Sequence, residues 1–403
     1  MLRKHVRRRV PRRCSQVAER KGSVLPLAAI AMTVVLTFAA FTVDFGMITM
    51  TKGQAQNAAD SAAHAAALEL SRSFGPGATV SSEAAEAAAR ARAVEMISRF
   101  RTGNITSTAA VADRDLRFGR RDWDASAGQW TQSWDVQPFN MVEVTVRRTA
   151  AAGAPLPMTF ARVMGIDHHD VTAKTAVGVA PAVGFRMPSY GSGTLSILPI
   201  AVDVPTWNAL LAAMTSDDDE HQFGDAYAWN EELERIVSDD DDILELNMYP
   251  DLNTSLPPGN RGTVDLGSPN NSTTDLKRQI QYGLNAFDLS FFPDSRIQFD
   301  ENGELFLNGD PGISAGIEAA LKSIIGKVCL IPLFTEVSGP GNNATYTVVK
   351  FVGVRIMAVK LSGGPGNRYL TVQPAQYTEG ETIVRGNGPI EYDSVVSKPY
   401  LIN

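Results

Sequence analysis

An uncharged stretch of membrane-spanning length lies near the start of the sequence. From Gly22 to Val43 the chain has 22 residues without a charge. As an α-helix this stretch is about 33 Å long, which is enough to cross the hydrocarbon core of a bilayer. Pro26 stands in its first turn, where a helix tolerates proline. The sequence therefore predicts a single transmembrane anchor over residues 22–50, with the lipid bilayer as its partner.

The charges on the two sides of this stretch are strongly divided. Residues 1–21 hold nine Lys and Arg against Glu19 alone, whereas the remaining 382 residues hold 28 basic and 43 acidic side chains. Basic residues beside a span stay on the cytoplasmic side. Residues 1–21 are therefore predicted to be a basic cytoplasmic tail, with the chain after Asp44 outside the cytoplasm. This topology accounts for the charge better than a nucleic-acid-binding tail, so no nucleic-acid partner is predicted.

A cleavable signal peptide is the closest alternative, because it too begins with a basic region. Its apolar part usually has about 7–15 residues and ends at an A-x-A-like site. Here the apolar run is longer, and Ala39 and Ala40 continue into Phe41. We therefore favour an uncleaved anchor in the cytoplasmic membrane. A secreted binding protein, released by signal peptidase after about residue 40, stays open as an alternative.

Beyond the anchor, the periodicity predicts a first α+β region over residues 51–181. Helices are predicted at 51–73 and 82–101, with Ser81 or Ser82 as the N-cap of the second. The alternation of apolar and polar residues predicts short strands that follow the helices, at 115–119, 126–134, 140–148 and 171–181.

A distal α+β domain of unknown role is predicted over residues 190–403. Its candidate helices are TWNALLAAM at 206–214, NEELERI at 230–236, TDLKRQIQYGL at 274–284 and SAGIEAALKSIIG at 314–326. The strongest strand signal is YTVVKFVGVRIMAVKL at 346–361, which a glycine-rich turn joins to YLTVQPA as a hairpin. The fold class is therefore a single N-terminal transmembrane helix followed by α+β extracytoplasmic regions. Cys14 and Cys329 fall on opposite sides of the predicted membrane, so no disulfide between them is predicted.

Four segments, in order, resemble the TadE/TadG-like proteins of Flp (tight-adherence, Tad) pilus assembly. They are the anchor with Asp44 and Gly46, the alanine box QNAADSAAHAAA at 56–67, the hairpin DLRFGRRDWDASAGQW at 115–130 and the closing segment PMTFARVMGIDHHDVTAKTAVGV at 157–179. The box is similar to the family's Q-x-A-A-D-x-A-A-x-A pattern. The hairpin is similar to its FG-x-W-D pattern, stretched by Arg120 and Arg121. Together these segments cover about residues 20–181, less than half of the chain.

The resemblance implies a membrane-anchored, non-catalytic component of Flp pilus assembly or cell-surface attachment, with other Tad proteins as partners. Two related patterns are absent from the sequence. Leu27 stands where a processed prepilin has a glutamate, five residues after the glycine before the cut. DASAG at 124–128 lacks the second serine of the D-x-S-x-S metal motif that some TadG proteins carry.

Six residues are candidates for helix packing or partner contact: Asp44, Gly46, Gln56, Ala59, Asp60 and Ala63. Gln56 and Asp60 are four apart and share one helix face, where they bind a neighbouring helix or support their own. Asp44 is expected at the outer membrane interface, where a carboxylate costs less than at the bilayer midplane. It is interpreted either as a charge that stops the helix from sliding inward or as a partner contact. The alanine face permits another helix to approach closely, within the chain or in a partner.

No catalytic, cofactor or metal site is predicted. GISAG at 312–316 has the nucleophile-elbow spacing, but no strand leads directly into it and no histidine follows it, so Ser314 is interpreted as a helix N-cap. The adjacent His168 and His169 lack a third ligand at metal spacing, and the acidic runs at 216–220 and 238–242 lack the pattern of a calcium loop. The rival interpretation is an envelope hydrolase with its active site in residues 190–403. It requires convergent carboxylates with raised pKa in one pocket.

Overall fold

The computed structural model describes residues 24–75, 78, 80–187, 193–216, 223–249, 261–267, 272–339, 341–364, 366–379, 381–385 and 395–402. The predicted basic tail at 1–21, Cys14, and all of the first acidic run except Ser216 lie outside the described residues.

Seven α-helices and twenty-one strands are present in these parts of the chain. The helices are α1 (Val24–Ser71), α2 (Ser82–Ser98), α3 (Ala112–Asp115), α4 (Val204–Met214), α5 (Thr273–Tyr282), α6 (Ala286–Leu289) and α7 (Glu318–Lys322). The strands are β1 (Leu116–Asp124), β2 (Gln129–Trp134), β3 (Met141–Arg148), β4 (Leu156–Pro157), β5 (His168–His169), β6 (Val171–Gly178), β7 (Gly184–Arg186), β8 (Ile200–Asp203), β9 (Ala228–Asn230), β10 (Arg235–Val237), β11 (Leu246–Asn247), β12 (Arg261–Val264), β13 (Arg296–Gln298), β14 (Leu305–Asp310), β15 (Val328–Ser338), β16 (Ala344–Lys360), β17 (Tyr369–Pro374), β18 (Thr378–Glu379), β19 (Thr382–Ile383), β20 (Val396–Ser397) and β21 (Tyr400–Leu401).

Helix α1 runs without interruption through the predicted anchor and the alanine box. Among the described residues it is the one helix that is long and apolar enough to cross a membrane, judged by length and composition. Its first half exposes its large apolar side chains, whereas from Ala55 onward every alanine except the partly buried Ala65 is buried. Four threonine hydroxyls in the exposed half donate to the carbonyl oxygen four residues earlier, at Thr33, Thr37, Thr42 and Thr49. These hydroxyls therefore need no water as a partner.

The first sheet packs against the alanine-rich half of α1. Its strand order is β2-β1-β3-β6-β21, and all of its pairings are antiparallel. Alanines of α1 and α2 form one core with Phe118, Val144 and Val177 of the sheet, because their small side chains let the helices approach each other and the strands closely. Ser81 accepts the backbone N–H of Ala84 and begins α2, as predicted. The four predicted strands of this region are confirmed.

A second sheet, in the order β11-β17-β16-β14-β12-β8-β15, forms the centre of the distal region. Strand β16 pairs with both β14 and β15, so the pairings of β8, β12, β14, β15 and β16 close into a ring. One core on this sheet contains Phe334, Tyr346 and Phe351. A second core lies between the sheet and helices α4, α5 and α7, with Trp207 fully buried. The predicted hairpin of residues 346–361 with YLTVQPA is confirmed as β16 and β17.

The prediction of a helix at NEELERI was wrong. Residues 228–237 form the hairpin β9–β10, in which Ile236 lies opposite Trp229. Asn230 Oδ1 accepts the N–H of Leu233 in the turn, and Glu234 has a positive φ of 47°. A seven-residue segment is too short to be stable as a helix without tertiary contacts. Here the tertiary contact favours the hairpin, because the guanidinium of Arg355 lies 4.4 Å from the centre of the Trp229 ring.

The predicted helix at SAGIEAALKSIIG is shorter than expected. A 3₁₀ turn at Ala315–Ile317 precedes α7, and Ser314 Oγ accepts the N–H of Gly316 at its start. The division of the chain into residues 51–181 and 190–403 stays a prediction. The last strand, β21, joins the first sheet across that division.

Candidate functional site

Asp44 lies where α1 meets the rest of the chain, and its carboxylate is buried. Its two oxygens accept the backbone N–H groups of Thr159, Phe160 and Ala161, at 2.9, 2.9 and 2.6 Å. These donors lie at the beginning of a 3₁₀ turn, Ala161–Met164, which no local side chain caps. The first N–H groups of a helical turn lack acceptors within the turn. Asp44, which is 115 positions away from Thr159, supplies these acceptors. This contact within the chain belongs to neither interpretation that the sequence suggested for Asp44.

Gln56 and Asp60 form a hydrogen-bonded group with Thr175 of β6. Gln56 Nε2 donates to Asp60 Oδ1 at 2.8 Å and to Thr175 Oγ1 at 2.6 Å. The Thr175 hydroxyl donates in turn to Asp60 Oδ1. The pair therefore supports its own helix and also joins it to the sheet. Thr175 was not predicted, although it was detectable as a polar residue at an inward position of the alternation Val171, Ala173, Thr175, Val177.

The remaining three candidates divide into covered and open positions. Ala59 and Ala63 are both 0% exposed and belong to the core between α1, α2 and the first sheet. Gly46 is exposed, and a Cβ added there meets nothing within 4 Å. Five of the six candidate residues therefore make contacts within this chain, whereas the backbone at Gly46 is exposed.

A buried arginine organises the loops that surround α1 beside Asp44. Arg148 is 1% exposed, and it donates to the carbonyl oxygens of Thr102, Ala154 and Pro155 and to Asn104 Oδ1. Burial lowers the pKa of this guanidinium from its usual value. The loop at residues 102–104 that Arg148 holds reaches α1, where the N–H of Gly103 donates to Gln54 Oε1 at 2.7 Å.

These contacts form a collar around α1 directly after its exposed half. The collar consists of the Asp44 contact to residues 159–161, the packing of Met47 and Ile48 against Leu156, Met158 and Val171, and the Gln54–Gly103 hydrogen bond. Its parts come from three separate segments of the chain. α1 is therefore fixed to the folded region at the point where its apolar surface stops being exposed.

The residues that form the exposed half of α1 and most of its buried half coincide with a known family pattern. Residues 22–69 match the family model described as "Putative Flp pilus-assembly TadE/G-like". No curated protein and no solved structure matches the chain. The matched TadE/G-like segment contains the first two of the four segments on which the resemblance rested, and all six candidate residues lie in it. The match supports involvement in Flp pilus assembly and association with a membrane.

Outside the TadE/G-like segment, a group of carboxylates has the raised pKa that a hydrolase would need. Burial raises the pKa of Glu245, and the charges of Asp225 and Asp241 raise it further. Hydrogen bonds from the N–H groups of Ala226 and Tyr227 act in the opposite direction but do not cancel the rise. Burial also raises the pKa of Asp241. Both oxygens of Glu245 are taken up by those backbone donors, and Asp241 Oδ1 accepts from Gln373 Nε2 at 2.7 Å.

The Asp241 and Glu245 carboxylates are bound to groups of this chain. Two cavities of the protein, one beside Trp130 and one beside Phe291, are lined by other residues. Within the described ranges, no group of three or more His, Cys, Asp or Glu side chains is placed to hold a metal ion. His168 and His169 lie on the short strand β5 and are both exposed.

Proposed function

We propose that this protein is a membrane-anchored, non-catalytic component of Flp/Tad pilus assembly or of cell-surface attachment, which acts through protein–protein contacts. The continuity of α1 carries the proposal. One helix supplies both an exposed apolar half of membrane-spanning length and the buried alanine half that forms the core of the first sheet. The family match falls on the same residues. The same helix therefore connects the folded region directly to the proposed span.

The proposed topology is a single pass through the cytoplasmic membrane, with the N-terminus in the cytoplasm and the bulk of the chain outside. The nine basic residues before position 22 support this orientation, because such residues remain on the cytoplasmic side. The collar supports a single pass, since it places the folded region immediately beyond the end of the exposed apolar surface.

Other Tad proteins are the proposed partners, and the open side of α1 at the outer membrane interface is where they would approach. Gly46 has free space around it, and the neighbouring Phe45 is 60% exposed. Replacing Phe45 with a photo-crosslinking phenylalanine analogue keeps its shape and samples this side. The same analogue at Phe306, which is 56% exposed on the distal region, is the matched control. Crosslinks to Tad components from position 45 support the proposal. Absence of crosslinks from position 45 in cells that assemble the pilus contradicts it, whatever the result at position 306.

The topology is tested on the full chain with a C-terminal tag. The measurements are alkaline membrane extraction, protease treatment of intact spheroplasts, and intact-mass analysis. Full-length protein that stays in the membrane while its external part is digested supports the anchored role. Soluble protein that lacks its first forty or so residues favours the secreted binding protein instead.

The envelope hydrolase is a second candidate because of Asp241 and Glu245. The raised pKa of both carboxylates is the feature that such an enzyme would use. The saturation of Glu245 by backbone donors argues for a structural role of this group. Cell-wall-degrading activity that the full-length protein retains and Asp241→Asn loses would establish the hydrolase.

A further inference from the structure

The collar places an unusual loop at the level where α1 leaves the membrane. From Val24 to Asp44 the helix rises by about 30 Å, which equals the thickness of the hydrocarbon core. Asp44 therefore lies at the outer boundary of the lipid when the start of α1 lies at the inner boundary. Residues 159–166, which we term the Asp44 loop, are bound to that carboxylate through three backbone N–H groups.

The Asp44 loop carries the two most exposed large apolar side chains of the described chain outside α1. Val163 is 91% exposed and Met164 is 80% exposed, and among the large apolar residues that the structure describes only Leu25 of α1, at 83%, lies in the same range. Phe160 and Ile166 in the same loop are 44% and 50% exposed. A contiguous exposed patch of this kind marks an interaction surface.

The position and the charge of the loop indicate which surface it contacts. The loop lies next to exposed apolar side chains of α1, because the Asp44 that binds it stands between Val43 and Phe45 in the helix. Arg162 stands between the apolar residues and is 60% exposed, with its Nε 3.9 Å from the exposed carboxylate of Asp167. An arginine beside apolar side chains suits the membrane interface, where its stem lies along apolar surface and its guanidinium reaches the phosphates.

We propose that the Asp44 loop inserts Val163 and Met164 into the outer leaflet of the bilayer, with lipid acyl chains as their partner. The inference rests on the anchored topology of the proposed function. The folded region is then held to the membrane at two points, the α1 span and the loop. Two points of contact restrict its tilt and its rotation about α1, whereas the span alone restricts neither to the same degree.

The test uses the full chain in phosphatidylcholine liposomes that contain one-fifth phosphatidylglycerol, with Cys14 replaced by serine. Cys329 can stay, because burial raises the pKa of its thiol to about 11 and keeps it out of reach of labelling reagents. An environment-sensitive fluorophore is attached to Val163→Cys or Met164→Cys. Phe41→Cys, in the span, is the lipid reference, and Phe306→Cys, on the distal region, is the aqueous reference. Quenching by doxyl-labelled lipids is compared with quenching by iodide.

We expect the labels at 163 and 164 to be quenched by doxyl lipid to at least half the extent of the label at 41, and to be shielded from iodide relative to 306. Iodide quenching at 163 and 164 equal to that at 306, with lipid quenching retained at 41, overturns the loop insertion and leaves the anchor intact. Loss of lipid quenching at 41 overturns the anchor itself. Labels at 163 and 164 that neither quencher reaches indicate burial against protein, within this chain or against a second copy of it, and also overturn the proposal.

Discussion

Tyr400 pairs with Gly178 and adds the strand β21 to the edge of the first sheet. The N–H of Ile402 donates to the carbonyl oxygen of Ala176 at 2.9 Å, and the guanidinium of Arg121 lies 6.0 Å from the centre of the Tyr400 ring. A second contact joins the same two regions, because Gln376 Nε2 donates to the carbonyl oxygens of Ser71 and Phe74 at the end of α1. The distal region is therefore tied to the first sheet and to α1 itself.

Gly178→Val should release this last strand. A Cβ at Gly178 lies 3.1 Å from Asn140 O and 3.1 Å from Ile402 Cδ1, so a branched side chain cannot fit without moving one of them. Losing the Ile402 hydrogen bond should speed amide exchange across residues 395–402 by roughly tenfold, measured by hydrogen–deuterium exchange. Gly364→Val is the control, because a Cβ there meets nothing within 4 Å. Unchanged exchange in Gly178→Val would show that the edge pairing does not hold this segment.

Asp44→Ala should free the Asp44 loop while leaving α1 helical. The substitution removes the acceptor of three backbone N–H groups, which have no substitute within the 3₁₀ turn. Trypsin should then cleave after Arg162 roughly tenfold faster or more, since loss of a charged acceptor exposes unpaired donors. Thr49→Ala is the matched control in the same helix, because its hydroxyl bonds only to Phe45 O. Equal cleavage rates in Asp44→Ala and Thr49→Ala would contradict this role of Asp44.

Thr175→Val should destabilise the folded region by about 1–2 kcal/mol. The substitution keeps the shape of the side chain and removes the hydroxyl that donates to Asp60 and accepts from Gln56. The loss is measured as a decrease in the free energy of unfolding in urea. Thr172→Val, at an exposed position of the same strand, is expected to change stability by less than about 0.5 kcal/mol. A similar effect of the two substitutions would mean that the hydrogen-bonded group contributes little.

Local pattern predicted much of the fold, and contacts distant in sequence account for what it missed. The strands of the first sheet and the β16–β17 hairpin alternate over enough residues for the sequence to show them. β21 has two residues and exists only because β6 offers an edge. The partners of Asp44 are backbone N–H groups, which almost every residue type has, so the sequence gives no signal for them. Thr175 did give a signal in the sequence, because it is a polar residue on the inward face of β6.

Asp115→Asn should destabilise the protein at neutral pH and have a smaller effect in acid. Burial acts to raise the pKa of Asp115, but hydrogen bonds from Arg114, the Val111 N–H and Arg147, with the charge of Arg114, hold it below its usual value. A lowered pKa in the folded state contributes stability above the unfolded value of about 3.9, and this stability is lost as pH falls through the folded value.

The expected loss for Asp115→Asn at pH 7 is about 1–3 kcal/mol, since both arginines are partly exposed and solvent screens the pairs. The difference from the wild type should shrink as the pH falls below about 4, measured by urea unfolding at several pH values. Asp113→Asn, whose side chain is 96% exposed on the same short helix, is the control. A difference that stays constant from pH 7 to pH 3 would argue against the ion pairs as its cause.

Asp241→Asn should have the opposite pH dependence. Burial, with the charges of Asp225 and Asp242, raises the pKa of Asp241 in the folded protein. In the unfolded chain this carboxyl has a pKa of about 3.9 and loses its proton at lower pH than in the folded protein. The wild type therefore loses stability as the pH rises from that value through the raised pKa of the folded state. Asparagine carries no charge but keeps an Oδ1 that accepts from Gln373 Nε2 and from the backbone N–H of Ile243.

The variant Asp241→Asn should therefore match the wild type near pH 4 and become the more stable protein toward pH 7, as measured by thermal unfolding in buffers of equal ionic strength. Asp240→Asn, an exposed neighbour in the same acidic run, should leave the pH profile unchanged. Higher stability at pH 7 with pilus assembly intact fits a structural carboxylate, because the group is then dispensable for function. Lower stability at pH 7 would show that the ionised carboxylate is needed for the fold, and that its repulsion by Asp225 and Asp242 is outweighed by the hydrogen bonds it accepts.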